Sequence, residues 1–193
     1  MALEEIYKAI NAIHSIDEAA WEDFRGLCQS IDLPKNEYLV RNGERTQFAY
    51  FLLEGVVRVF YNKEGNEYNK TFFMPGSFPT AITALISGSP SQLDFQALLP
   101  SKLVKFSYME FKKLFDKHRC LESLMLAIME KQWIKKERHD IHMVTNDGVA
   151  NYLIFRKDFP QLENMIPQYH IASYLGITPI QLSRIRAQLA KKI

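Results

Sequence analysis

The sequence predicts an α+β protein. A small antiparallel β sandwich or barrel is flanked by helices, followed by one long helix and an all-helical C-terminal segment. Three observations carry this prediction. Between Asn36 and Ser107, short aromatic and β-branched runs alternate with Gly- and Pro-bearing turns, the spacing of an antiparallel all-β unit. From Leu121 to Met143 neither Gly nor Pro interrupts 23 residues. Beyond residue 164, two short apolar-periodic stretches flank Gly176.

The first thirty-odd residues read as helix. Ser15 with Glu18 three places on forms a capping-box signature, and Trp21, Phe24, Leu27, Cys28 and Ile31 recur at helical spacing before Pro34. The strand candidates follow: "EYLVRNG", "FAYFLLEG", "VVRVFYNKEGNE", "YNKTFFMPG", "LDFQALLP" and "KLVKFS". They are divided by turns at Asn42-Gly43, Glu54-Gly55, Glu64-Gly65, Pro75-Gly76 and Pro100. Between the fourth and fifth, "PTAITALI" has room for one or two helical turns. "YMEFKKLFDK" is a short amphipathic helix with Met109, Phe111 or Lys112, and Phe115 near one side.

The long run after it would span about 35 Å as a helix. Its first half is apolar nearly all round, so it needs one partner on the barrel and another elsewhere. A second copy of the chain is the economical choice, and the polar second half suits a protruding rod. "VTNDGVA" is the expected break, with Thr145, Asn146 and Asp147 as competing N-caps. The helix after it, "VANYLIFRKDF", stops before Pro160.

Charged residues at 24% and hydrophobic residues at 47% describe an ordinary soluble protein. No secretory signal and no apolar run of membrane-spanning length is visible, so a cytoplasmic location is expected. Cys28 and Cys120 are too few for a zinc or iron–sulfur cluster, and buried or half-buried thiols are expected. His139 and His142 stand at i and i+3 without a third ligand nearby, so no metal is assigned. No P-loop, nucleophile elbow or Rossmann glycine pattern occurs, which argues against an enzyme.

The formal charge is +2 overall, yet residues 165–193 carry Arg184, Arg186, Lys191 and Lys192 and no acid, which leaves −2 for residues 1–164. The basic end is the one expected to meet a polyanion. There, Pro167 opens a helix that presents Ile171, Ala172 and Leu175. Gly176 permits a tight turn, and Thr178-Pro179 supplies an N-cap and first-turn proline for a second helix with an apolar stripe of Leu182, Ile185 and Leu189. This is the sequence shape of a helix-turn-helix. Its free face holds Ile180, Gln181, Ser183, Arg184 and Gln188. Gln181 suits adenine, Arg184 guanine or phosphate, and Thr178 with the helix start suits phosphate. Arg186, Lys191 and Lys192 suit backbone neutralisation.

On "RNGERTQFAYFLLEGVVRVFYNKEGNEY", "PGSFPTAITALISGSPSQLDFQAL", the long helix and "PQYHIASYLGITPIQLSRIR", the chain resembles the Crp/Fnr family of bacterial transcription regulators from about residue 20 onward. The resemblance implies a cyclic-nucleotide-binding-like β-roll of double-stranded β-helix or jelly-roll type. With its dimerisation helix at about 119–143, the sensor domain would cover residues 1–143. A DNA-binding domain would cover residues 144–193, with the recognition helix at 178–189 and no C-terminal wing. It also implies double-stranded DNA, a second copy of the chain and RNA polymerase as partners. Members that read the best-known operator carry arginine and glutamate where this chain has Pro179 and Ile180, so a different target is expected. The contrasting reading is a β-roll that binds a small molecule or acts as a scaffold without binding DNA.

The stretch GSFPTAITALISGSPSQ, residues 76–92, holds no charge. By resemblance it is the family's phosphate cassette, with effector-pocket candidates Gly76, Phe78, Thr80, Ala81, Thr83, Ser91 and Gln92. Ala81 stands where cyclic-AMP-binding members have a glutamate for the ribose, and Ser91 or Gln92 where they have an arginine for the phosphate. Loss of that guanidinium would cost about 3–5 kcal/mol, by analogy with breaking a buried ion pair. Helix N–H groups near Pro79 to Ala81 and the hydroxyls of Thr80, Thr83 and Ser91 retain some capacity for an anion. Three occupants stay open: a cyclic nucleotide, another small effector, or none. The cyclic nucleotide is the least favoured, and no resident cofactor is expected.

Overall fold

The computed structural model describes residues 2–191. Lys192, expected to neutralise phosphate, lies outside the described residues. Two N-terminal helices, α1 (Ala2–Asn11) and α2 (Glu18–Arg25), precede β1 (Gln29–Leu33), β2 (Tyr38–Val40), β3 (Phe48–Glu54), β4 (Val57–Lys63) and β5 (Asn66–Phe73). A short helix α3 (Ile82–Ser87) leads to β6 (Asp94–Ala97) and β7 (Ser101–Ser107). The chain then runs through α4 (Tyr108–Lys113), a 3-10 turn (Leu114–Asp116) and the long α5 (Arg119–Thr145). It finishes with α6 (Gly148–Asp158), α7 (Leu162–Met165), α8 (Gln168–Tyr174) and α9 (Pro179–Ala190).

The strands form two antiparallel sheets, β1-β7-β3 and β2-β6-β4-β5. Alternation along each strand sorts side chains between three cores. Inside the roll, Tyr50, Leu52 and Leu103 of one sheet meet Val57, Val59, Phe95 and Ala97 of the other, with Ala81 and Ala84 closing the mouth. On the far side of the first sheet, Ala49, Phe51, Val104 and Phe106 pack under α1, α2, α4 and the start of α5. The outer face of the second sheet is covered by the C-terminal helices: Val56, Phe72 and Leu98 share a core with Tyr152, Phe155, Phe159, Ile171, Tyr174 and Leu182. All six strands expected between Asn36 and Ser107 form, and the α+β roll with C-terminal helices is the expected class.

The N-terminal region departs from the expectation. Its helical sequence is divided in two, and the cap of α2 is Asp17, not Ser15: the Asp17 carboxylate accepts from the Ala20 N–H at 2.7 Å. A charged acceptor outcompetes a hydroxyl here, and it leaves Ile16 buried just before the cap. Ile31, expected on a helix face, lies in β1, where it pairs with Leu103. Helical and strand periods coincide over so short an apolar run, and edge pairing with β7 decides between them. On α4, Phe111 is buried and Met109 is exposed.

Glycine is demanded at Gly55. Its φ is +96°, and a Cβ there would stand 2.1 Å from the Ser101 hydroxyl and 2.7 Å from the Pro100 carbonyl. At the expected break, Asp147 is the N-cap selected from the three candidates, accepting from the Ala150 N–H at 2.8 Å. α5 continues to Thr145, so the boundary expected after Met143 falls within its last turn.

Candidate nucleic-acid interface and effector cassette

α8 and α9 make a helix-turn-helix from local rules. α8 ends in a left-handed Gly176 (φ +66°), with the Ile177 N–H reaching the Ala172 carbonyl at 3.0 Å, the bond that closes a Schellman turn. Thr178 then caps α9. Its hydroxyl accepts from the Gln181 N–H at 3.2 Å, and the Gln181 side-chain oxygen accepts from the Thr178 N–H at 2.8 Å. Ile171, Ala172 and Leu182 are buried where the helices cross, with Ile185 and Leu189 packed beside them.

What remains outside is one stripe. Ile180, Gln181, Arg184 and Gln188 fall on one side of α9 by helical spacing, and all are exposed, as are Thr178, Pro179 and the flanking Ser183. Arg186 does not join them. It lies half-buried on the inward side with Leu182 and Leu189, close enough for its charge to act on the Tyr152 phenol. That phenol is pushed up to about 12, by burial first and by Glu163 second. Gln181, expected to pair with adenine, has its side-chain oxygen held by the cap, which leaves its amide NH2 as the outward group.

The C-terminal helices are seated on the roll by a polar joint as well as by apolar packing. Arg58 on β4 is 4% exposed. Its Nε and Nη2 donate to Gln96 Oε1 at 2.8 and 2.6 Å, and Nη1 donates to Glu67 and lies 3.2 Å from His170 Nδ1 on α8. Asn69 donates its amide to the His170 carbonyl at 3.0 Å. At the open edge of β5, the Ser173 hydroxyl accepts from the Asn69 N–H at 3.0 Å and donates to the Glu67 carbonyl at 2.7 Å. Burial, then the Arg58 charge, brings the His170 ring down to about 4. One turn further along the same face of α8, Tyr174 stacks on His139 of α5, with its hydroxyl 3.2 Å from Nδ1.

The cassette candidates do not converge on one cavity. Phe78 turns outward and packs edge-on to Phe51 at 5.1 Å, among the N-terminal helices. Ala81 is buried in the roll core. The Thr80 hydroxyl accepts from the Tyr50 N–H at 3.0 Å, and the Ser91 hydroxyl donates to the Leu93 carbonyl at 2.7 Å. Gly76, Thr83 and Gln92 are exposed. Arg45 is the cation that touches the segment, donating to the Gly88 carbonyl, and Glu44 stands beside it in a shallow depression.

α5 has two unlike faces. Leu121, Leu124, Met125 and Ile128 pack on the N-terminal core, and Lys135 and His139 lie against Phe159 and Tyr174. Leu126, Trp133 and Val144, two and then three turns apart, line the opposite face uncovered, with Ile141 at its flank. Cys28 and Cys120 are free and half-buried, and burial pushes the Cys28 thiol up to about 12. Among the described residues no metal-binding cluster is present, and no helix is long and apolar enough to cross a membrane.

These features define a class. Residues 30–118 match the family model described as the cyclic nucleotide-binding domain. The chain has the fold of the Crp/Fnr regulators. It superposes on FixK2 from Bradyrhizobium japonicum with a TM-score of 0.73 at 18% identity, covering 86% of this chain and 85% of that one. The c-di-GMP responsive global regulator CLP of Xanthomonas campestris gives 0.69 at 16%, covering 91% and 93%. A CooA variant from Carboxydothermus hydrogenoformans gives 0.69 at 16%, covering 86% and 78%. No curated protein matches the sequence significantly.

Proposed function

We propose that the protein is a homodimeric transcription regulator that binds double-stranded DNA in a sequence-dependent way through α9. One observation carries the reading: the first two turns of α9 leave Thr178, Ile180, Gln181, Ser183 and Arg184 exposed, while Leu182 on the same turns is fully buried. A helix so anchored presents a rigid polar and apolar stripe of the width that enters a major groove. Ile180 suits a thymine methyl, Gln181 and Gln188 suit base edges, and Arg184 suits guanine. Residues 1–143 act as the sensor-type unit and 144–193 as the DNA-binding unit. The uncovered face of α5 takes the matching face of a second copy.

The cassette, on this reading, does not hold a cyclic nucleotide. A phosphate monoanion in the roll would lie among apolar side chains, the Arg45 guanidinium at the segment is engaged by the Gly88 carbonyl with Glu44 beside it, and the hydroxyls of Thr80 and Ser91 are engaged by backbone. Calorimetry with cyclic AMP and cyclic GMP is expected to give no heat of binding in the micromolar range. Micromolar binding of either would overturn this part of the reading.

Mobility shift of genomic fragments over a salt series tests the reading as a whole. Selective retardation that weakens steeply with salt is expected. Absence of any selective shift, with a monomer in sedimentation, would favour a roll that binds a small molecule or serves as a scaffold. Arg184→Ala is expected to lower affinity for the preferred site by about 1–3 kcal/mol and to flatten selectivity. Its thermal melting should not change, because Arg184 is exposed. Equal binding at every site by variant and parent would mean that α9 docks by another face.

A further inference from the structure

We propose that Arg58 and His170 are positioning residues, whose joint across the outer face of β4 and β5 fixes α9 relative to α5 and so sets DNA affinity without an effector. The DNA half of this inference rests on the function proposed above; the joint itself does not.

Arg58 is the lone charged residue in the run Val56–Phe60, and it points away from the roll core. Its register neighbours are Gln96 on β6 and Phe72 on β5. Gln96 is held in turn, its amide donating to the Asn36 carbonyl at 2.9 Å, and the guanidinium lies 3.7 Å over the Phe60 ring. A buried guanidinium is costly to desolvate, and an apolar side chain would serve stability as well; what such a group adds is one permitted docking register. Here the register is read from the α8 side by His170 Nδ1, and one turn on by the Ser173 hydroxyl at the β5 edge. On the same face one turn on, Tyr174 lies 5.6 Å from Phe72 of β5 and 5.1 Å from His139 of α5, centroid to centroid, so α8 is tied to both β5 and α5. Because α9 is joined to α8 by a turn of only four residues, 175–178, its place relative to α5 follows. In a dimer seamed along α5, that place decides the separation of the two α9 helices, which must match the half-site spacing on DNA.

The chemistry of the joint makes it testable. Arginine only donates, so His170 Nδ1 must accept, and the ring is neutral with its proton on Nε2. Protonation would set a second cation 3.2 Å from the guanidinium. The groups facing the ring are Arg58 from β4, Glu67 and Asn69 from β5, and Tyr169 from α8 itself, its ring 4.1 Å away centroid to centroid. Burial and Arg58 disfavour the imidazolium and Glu67 favours it, with a net downward shift to about 4. The docked state therefore binds fewer protons than the undocked one between pH 4 and 6.5. Docking is at full strength above about pH 6.5 and weakens as pH falls, on the order of tenfold or more by pH 5.

The experiment compares the full chain with His170→Asn, His170→Leu and Ser173→Ala. Asparagine keeps an acceptor near Nδ1 without a titrating group, and leucine removes the acceptor. Amide hydrogen exchange at α8 and at Asn69 is read beside the β1-β7-β3 sheet as an internal reference. Affinity is read on a genomic fragment retained by the parent, at pH 7.5 and 5.0. Leucine is expected to speed exchange at α8 and Asn69 at least tenfold with the reference sheet unchanged, and to weaken DNA binding at least tenfold. Ser173→Ala should do the same to a smaller degree. Asparagine should hold near-parent affinity at pH 7.5 and lose the acid sensitivity that the parent shows. Parent-like exchange in both leucine and alanine variants, or equal acid sensitivity in parent and asparagine variant, would overturn the joint. If the parent retains no fragment, the proposed function fails, while the exchange measurement still decides whether the joint exists.

Discussion

Trp133→Asp is expected to convert the protein from dimer to monomer and to abolish selective retention of DNA, with each chain still folded. Trp133 is 67% exposed on α5, in line with Leu126 at 59% and Val144 at 83%. Nothing in its own chain depends on it, so secondary structure and melting of the monomer should persist. Large aromatic side chains near the centre of an interface commonly contribute 2 kcal/mol or more, and a carboxylate placed there would have to be buried against its symmetry mate. A monomer retains one α9 helix, hence one half-site, and loses the gain from binding two half-sites together. Sedimentation velocity across a concentration series, followed by mobility shift on the same samples, checks both steps. A variant that stays dimeric would place the seam elsewhere.

The second large effect lies in the core that the roll and the C-terminal helices share. Phe155 is 1% exposed and touches rings from two other elements, Phe72 of β5 at 6.2 Å and Tyr174 of α8 at 5.7 Å, and the ring of Phe159 just beyond its own helix at 5.4 Å, centroid to centroid. Phe155→Ala should cost about 3–5 kcal/mol, the usual range for emptying a buried aromatic site. Because the cluster spans both units, the loss should appear in a single transition that moves to lower denaturant as a whole. Tryptophan fluorescence, which reports on Trp21 and Trp133, and far-ultraviolet dichroism should give coincident curves. Two separated transitions in the parent would mean that the C-terminal helices fold apart from the roll.

Local chemistry carried most of what the sequence revealed. Turn glycines at 43, 55, 65 and 76 all adopt positive φ, so strand boundaries are readable from them. Gly176 and Thr178-Pro179 placed α8 and α9 because a left-handed cap and an N-cap are nearest-neighbour rules. Features set by long-range pairing were not readable. β1 exists through its ladder with β7, some seventy residues away, and its own residues read equally well as helix. Arg186 looked like its basic neighbours, yet its helical phase sets it inward with Leu182, which a stricter count of the 3.6-residue period would have revealed. The Thr178–Gln181 capping box is likewise present in the sequence as T-x-x-Q spacing. Arg58 left a fainter trace, a single charge inside "VVRVF", and its partner His170 lies 112 residues on, beyond any local pattern.

The cassette illustrates the same limit from the other side. The resemblance sets Ala81, and Ser91 or Gln92, where cyclic-AMP-binding members carry charge, and the fold adds that Ala81 fills the roll while the Ser91 hydroxyl closes a turn. Resemblance gave the shape of the segment. Packing decides what space remains inside it.

Genomic footprinting of the tagged full-length protein tests the central claim most directly. The account predicts discrete protected sites, each with two related half-sites about one helical turn apart, as expected for a dimer presenting two α9 helices. Uniform, sequence-independent protection, or none at all, would contradict it.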